Sequence, residues 1–391
     1  MQSLPPELIL LIVEALIPSN PPIFPCDHPV TRTLLSLILT CKLTHHLAQD
    51  LLFAHCLYLN SGKRIHDAVT QSSLCKNPPD EQTNQDKETR CRSLYLAFPS
   101  APTLTFRSTD TQIIQLLTTF RTRIHRLVLD LPLRNLVSDN VGGTDDPLRQ
   151  REITRALSRL EAVEKFCFLR DGLGAAPYRR PWLDTYEIHL WTLQFALPWP
   201  RLQRLAMCNP SFDGLFISML RRCPGLTHLA FTCPVMIEDG YEDSGLESLD
   251  VTQTWSHLKR VLIIQGVGPL RTTEWRDFWE SRMFMQYSDR RDWERSFLGT
   301  LVVAVQNAAR SGSGVQFRPK LVYIDEPKTA QFDAEDYATF QEWTGARALD
   351  GTLWEYPGLV FDADMHGDTA AAMFADAGSG SRSPVYQLFD D

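Results

Sequence analysis

Chemistry in this chain would be sought first between residues 41 and 56, where Cys41, His45, His46, His55 and Cys56 lie close together. Thiols and imidazoles are the ligands of zinc and the parts of a nucleophile–base pair, but their spacing fits neither. His45 and His46 are adjacent, so on a helix they point in different directions, and the paired spacings of zinc sites are missing. Cys41 has apolar neighbours, which predicts a buried, inert thiol. Gly266-Val-Gly268-Pro269 follows the strand-like run 261–264 as a phosphate loop would. It lacks the third glycine and the Lys-Ser/Thr of such loops, and Pro269 disturbs the turn. No Gly-x-Ser-x-Gly or His-Glu-x-x-His occurs. The expectation is a protein with no catalytic residues, no metal and no cofactor.

Two other groups suit recognition better than reaction. Glu238, Asp239, Glu242, Asp243, Glu247 and Asp250 form an acidic run in a loop, ordinarily a solvated feature and otherwise a surface for a basic segment. Trp275, Phe278, Trp279 and Met283 recur at helical spacing, which predicts packing into a core. Exposed Trp and Arg also dominate binding interfaces. Glu238, Asp239, Glu242, Trp275, Trp279 and Arg282 are therefore the candidates for contact with a target.

Composition narrows the class. Among 391 residues, 47 are acidic and 39 are Lys or Arg, a net charge of -8. Nucleic-acid binding needs a basic face, so this balance leaves room only for a local basic groove. The apolar run 8–17 is too short to span a bilayer, Glu14 interrupts it, and the first cationic side chain is Arg32. The nine cysteines are scattered with no Cys-x-x-Cys pair, which predicts reduced thiols, and the lack of any Asn-x-Ser/Thr sequon disfavours secretion. A cytoplasmic or nuclear location, no membrane partner and no nucleic acid are expected.

The elements that position these residues begin with three helices. Leu4-Pro5-Pro6-Glu7-Leu8 opens a helix from about 6 to 17, with proline in its first turn and Pro18 as its stop. Leu8, Leu11, Ile12, Ala15 and Leu16 form a stripe, and Ile9, Leu10, Val13 and Ile17 make the helix apolar nearly all round, so it needs a core or a partner to cover it. A Pro-rich loop (18–33) leads to helices expected at 30–42 and 44–55. Residues 72–92 read as a polar loop, and a strand-like piece covers 94–98.

From there one motif recurs: Ile124-His-Arg-Leu-Val-Leu129, Val163-Glu-Lys-Phe-Cys-Phe168, Leu202-Gln-Arg-Leu-Ala-Met207, Leu226-Thr-His-Leu-Ala-Phe231 and Leu258-Lys-Arg-Val-Leu-Ile263. The starts at 124, 163, 202, 226 and 258 are 39, 39, 24 and 32 residues apart. Residues 321–324 read as a decayed copy. Apolar-x-x-apolar-x-apolar is the pattern of a leucine-rich repeat, one short strand per unit lining a curved array. The period is irregular, and helix-like segments such as 147–160 and 212–222 lie between the copies.

Residues 3–59 resemble an F-box. The family opens with Leu-Pro-x-Glu-Leu/Ile, here Leu4, Pro5, Glu7 and Leu8. Its second block matches Leu34, Leu35, Leu37, Cys41 and Lys42, and its trailing Leu-Leu-Phe matches Leu51, Leu52 and Phe53. Two departures stand out: a longer loop at 18–33, and Thr44 where an aromatic is usual. The whole chain is similar to fungal-type F-box proteins with divergent leucine-rich repeats.

The resemblance implies an α/β protein: a three-helix F-box (1–60), a linker (61–92), an irregular repeat solenoid with a helical cap (93–330), a peripheral segment (331–361) and a disordered acidic tail (362–391). It implies that Leu4, Pro5, Pro6, Glu7, Leu8, Leu34, Leu35, Leu37, Cys41 and Lys42 bind the Skp-family adaptor of a Skp–cullin–F-box ubiquitin ligase, while the repeats bind a target protein. The alternative is an interaction scaffold whose F-box-like unit does not support ubiquitylation. An enzyme with its site inside the repeat domain is the third reading, and no residue pattern calls for it.

Overall fold

The computed structural model describes residues 5–18, 22–74, 92–97, 106–131, 153, 155–170, 199–208, 220–232, 251–264, 320–324 and 334–361. Three helices come first: α1 (Pro6–Glu14), α2 (Pro29–Thr40) and α3 (Lys42–His55). Next come β1 (Leu57–Leu59), α4 (Gly62–Leu74), β2 (Ser93–Ala97), α5 (Phe106–Thr119), β3 (Arg126–Asp130), β4 (Lys165–Phe168), β5 (Arg204–Cys208) and β6 (His228–Thr232). The chain continues through α6 (Val251–Thr254), β7 (Arg260–Ile264), β8 (Lys320–Ile324), α7 (Ala334–Asp350), a 3-10 turn (Leu353–Glu355) and β9 (Leu359–Phe361).

The nine strands form one sheet in chain order, β1 to β9. Every neighbouring pair from β1 to β8 is parallel, and β9 closes the edge antiparallel to β8. Parallel neighbours need a crossover long enough to return the chain to its starting side, which the stretches between motif copies supply. Each motif copy becomes a strand, and the copies align without slip. Leu127, Phe166, Leu205, Leu229, Val261 and Leu321 are successive register partners. The irregular period therefore lies wholly in the connections.

Alternation within the strands sends residues to two faces, and both faces carry cores. On one, Leu127, Leu129, Phe166, Phe168, Leu229 and Phe231 pack with Ile65, Leu116, Phe120, Leu157, Trp199 and Trp255. On the other, Val128, Cys167, Ala206, Ala230, Leu262 and Val322 pack with Phe340, Ala348, Leu353 and Trp354. The small side chains Cys167, Ala206 and Ala230 leave room for α7 to cross the strands, where it meets β3 and β6. Thr344 and Thr232 hydroxyls meet there at 2.9 Å. A Cβ on Gly345 would lie 2.9 Å from Leu169 Cδ1, so a larger residue there would have to displace the Leu169 side chain. Gly351, at φ 87°, ends α7 in the left-handed conformation that favours glycine, and its N–H returns to the Arg347 carbonyl.

Two expectations are corrected. Residues 61–92 are not a linker throughout: α4 occupies 62–74 and buries Ile65, Ala68 and Val69 at helical spacing against the sheet. Residues 331–361 are not peripheral, because α7 and the 3-10 turn build the second core. The helical cap around Trp275 and Trp279, the loop around Glu238, Asp239 and Glu242, Arg282, and the tail 362–391 lie outside the described residues.

Two tryptophans tie successive crossovers together. Trp199 Nε1 donates to the Leu157 carbonyl at 3.1 Å and Trp255 Nε1 to the Leu220 carbonyl at 3.0 Å, both buried. Trp255→Phe removes that bond and leaves a void around a fully buried side chain. We expect a loss of ~1–3 kcal/mol in stability, read as a lower midpoint in thermal or urea unfolding.

Candidate protein-docking face

Local rules define each of the first three helices. Pro6 occupies the first turn of α1, and the Pro5 carbonyl accepts from Leu8 and Ile9 N–H at 3.0 and 3.2 Å. His28 caps α2, its Nδ1 accepting from Val30 N–H at 3.2 Å, with Pro29 next in line. Cys41 is extended and separates α2 from α3. Thr44 staples this corner: its hydroxyl donates to the Leu37 carbonyl at 2.7 Å and lies 3.4 Å from Cys41 Sγ. His45 Nδ1 is 3.0 Å from the Ile38 carbonyl. Thr44 is thus a buried brace within the unit and does not face outward.

α1 and α2 each pack on α3, but they bury little. Only Val13, Leu34 and Ala48 form the unit's fully enclosed core, ringed by half-buried Leu16, Ile17, Leu37, Ile38, Leu47, Leu51 and Leu52. Outside it stand Leu8, Leu11, Ile12, Leu35, Leu39 and Leu43, between 39% and 87% exposed. Among the described residues, every strongly exposed large apolar side chain belongs to these three helices. Scattered surface leucines are ordinary, whereas a concentration of them marks a binding face.

Of the adaptor candidates, Pro5, Pro6, Glu7, Leu8, Leu35, Cys41 and Lys42 are exposed, Leu37 is half-buried, and Leu4 lies outside the described residues. Leu34 is fully buried between the helices, so it holds the unit together and is unavailable to a partner. Cys41 was expected to be buried and inert. It is exposed at the interhelical corner, and the Thr44 hydrogen bond lowers its pKa. Leu11, Ile12, Leu39 and Leu43 were not among the candidates. The apolar stripe of the first helix already pointed to Leu11 and Ile12, while α2 and α3 gave no comparable signal for the other two.

The His45 and His46 rings meet edge-on, 5.3 Å apart, and no group of three metal-ligating side chains occurs among the described residues. No described helix is long and apolar enough to cross a membrane. All six described cysteines are free thiols, of which Cys167, Cys208 and Cys223 are buried.

The Pro-rich loop joins this unit to the sheet. Ile23 is buried in the second sheet core, and its N–H donates to the Leu349 carbonyl at 2.8 Å. Phe24 N–H donates to the His55 carbonyl at 2.9 Å. His55 is buried at this junction, with no partner for Nδ1 among the described residues. Burial, then the charges of Arg92 and Arg126, depress its pKa to about 4.

No protein-family model matches the chain, and no curated protein matches it in sequence.

A histidine held near 4 in the fold and near 6.5 when unfolded takes up protons preferentially in the unfolded chain between those values. Its contribution is intact above about pH 6.5 and is lost as pH falls toward 4. Thermal midpoints should drop from pH 7 to pH 4.5, and His55→Gln should flatten that slope. Some slope will remain, because His228 is also depressed to about 4, by burial first and then by Arg204.

Proposed function

We propose that the chain is a substrate receptor of a Skp–cullin–F-box type ubiquitin ligase. In this reading α1–α3 are the F-box that binds the Skp-family adaptor, and the strand–crossover array is a divergent leucine-rich-repeat solenoid that holds a target protein. The observation that carries it is the concentration of exposed Leu8, Leu11, Ile12, Leu35, Leu39 and Leu43 on a unit with so small a core of its own. An apolar helical surface of this kind suits another helical protein laid against it. The Leu-Pro-x-Glu-Leu opening and the Leu34–Lys42 block supply the family resemblance. The sheet order, with in-register parallel strands taken in sequence, supports the repeat reading.

The receptor has no reacting group to supply. It raises the effective concentration of a bound target near the ubiquitin donor, converting a bimolecular encounter into an intramolecular one.

Co-purification with a Skp-family adaptor tests the reading. Leu39→Glu alters a side chain that is 87% exposed, so the fold should survive while adaptor affinity falls at least about tenfold, the equivalent of one leucine's burial. Replacing Leu4, Pro5 and Leu8 together by Ala should abolish co-purification. Adaptor binding without cullin recruitment would favour the scaffold alternative, and undiminished binding by both variants would overturn the F-box reading.

A further inference from the structure

The first residues of six strands form a row. Arg126, Lys165, Arg204, His228, Arg260 and Lys320 are successive register partners, on the face that α7 covers. Neighbouring strands lie about 5 Å apart, so Arg126, Lys165 and Arg204 stand directly opposite one another as like charges, as do Arg260 and Lys320, while His228 between the two groups is held neutral at pH 7; like charges so placed destabilise a sheet. A net-acidic protein has no general need for such a row.

Glu355 of the 3-10 turn answers part of this charge. Its carboxylate lies 3.2 Å from His228 Nε2, 3.6 Å from Arg260 Nη1 and 3.8 Å from Arg204 Nη2, yet the side chain stays 65% exposed. Arg260 also donates to the Tyr356 carbonyl, while its buried Nε has no acceptor among the described residues. The Arg204 guanidinium is 6.0 Å from the Trp354 ring centroid. Arg126 donates to the Leu349 carbonyl at 3.1 Å. Lys165, half-buried between Arg126 and Arg204, has no carboxylate within ion-pair distance among the described residues. Burial first, then Arg204 and Arg126, lower its pKa.

We propose that Lys165 and Arg204, with the neighbouring row, bind a glutamate- or aspartate-rich segment of a target protein, and that Trp354-Glu355 is an intramolecular occupant of the adjoining part of the same row. This intramolecular occupant is itself a glutamate carboxylate beside an aromatic ring, and its reach stops at Arg204, one strand short of Lys165. Lys165 and Arg204 remain partly exposed, and two adjacent cations placed so attract further negative charge. The identity of the ligand as a ubiquitylation target rests on the receptor reading; the acidic-peptide site does not.

The test is fluorescence anisotropy with the full chain and a labelled decapeptide of alternating Glu and Ala, against a Gln–Ala control. Saturable, salt-sensitive binding of the Glu peptide alone is expected. Glu355→Gln removes the competing carboxylate and should tighten binding about threefold, the size of a solvent-screened charge pair. Lys165→Gln should weaken binding about threefold while raising the thermal midpoint, because it relieves repulsion within the row; a merely structural lysine would not separate the two effects. No saturable binding by either the natural chain or Glu355→Gln would overturn the site, as would unchanged affinity in Lys165→Gln. Displacement of the peptide by a ten-nucleotide single-stranded RNA at lower concentration would also overturn it. Adaptor co-purification is scored in parallel. Its failure with peptide binding intact removes the receptor reading and leaves the site, whereas the reverse removes the site alone.

Discussion

Both faces of the parallel sheet carry continuous apolar rows, so neither can meet water. That constraint organises the molecule. The crossover segments, including α4 and α5, cover one face as a consequence of connecting parallel strands. Among the described residues, no crossover helix packs on the other. α7 and the 3-10 turn fill this gap, and the chain accommodates them with Cys167, Ala206 and Ala230 beneath and Gly345 above. Ile23 from the Pro-rich loop completes the same layer.

The two surfaces proposed for recognition are built on opposite principles. The helical unit presents uncovered leucines, whose attraction is non-directional and nearly indifferent to salt. The row on the sheet presents cations, whose attraction depends on ionic strength and on what already sits among them. A receptor that joins two partners gains from this difference, because neither partner competes well for the other's site.

Much of this was legible in the sequence. The recurring motif located β3 to β8, because apolar-x-apolar within a strand leaves a periodic trace that burial enforces. The three N-terminal helices were legible from their stripes and prolines. The covering role of α7 was not: residues 331–361 read as a peripheral segment, and only the sheet shows which face Phe340, Trp343, Ala348 and Leu349 fill. The basic row escaped for a related reason. Each copy shows one or two cations after its first apolar residue, which looks like a solvated strand end. Only the register, which discards the uneven spacing of the copies, lines them up. Leu34 is buried although the family match makes it an adaptor contact, and Cys41 is exposed although its apolar neighbours predict burial, because residue types and neighbours do not give the direction in which each side of a helix faces.

The Leu349 carbonyl accepts from both Ile23 N–H and the Arg126 guanidinium, so the seat of the N-terminal unit is completed by a residue 326 positions further along the chain than Ile23. At synthesis rates of about 5–20 residues per second, the two meet roughly 16–65 s apart. For that interval the nascent chain holds its leucine-bearing helices only through α3 and the Phe24–His55 bond, with the Ile23 seat unfinished. A late element, α7, therefore fixes an early one in place, and chaperone demand should be greatest just before α7 emerges.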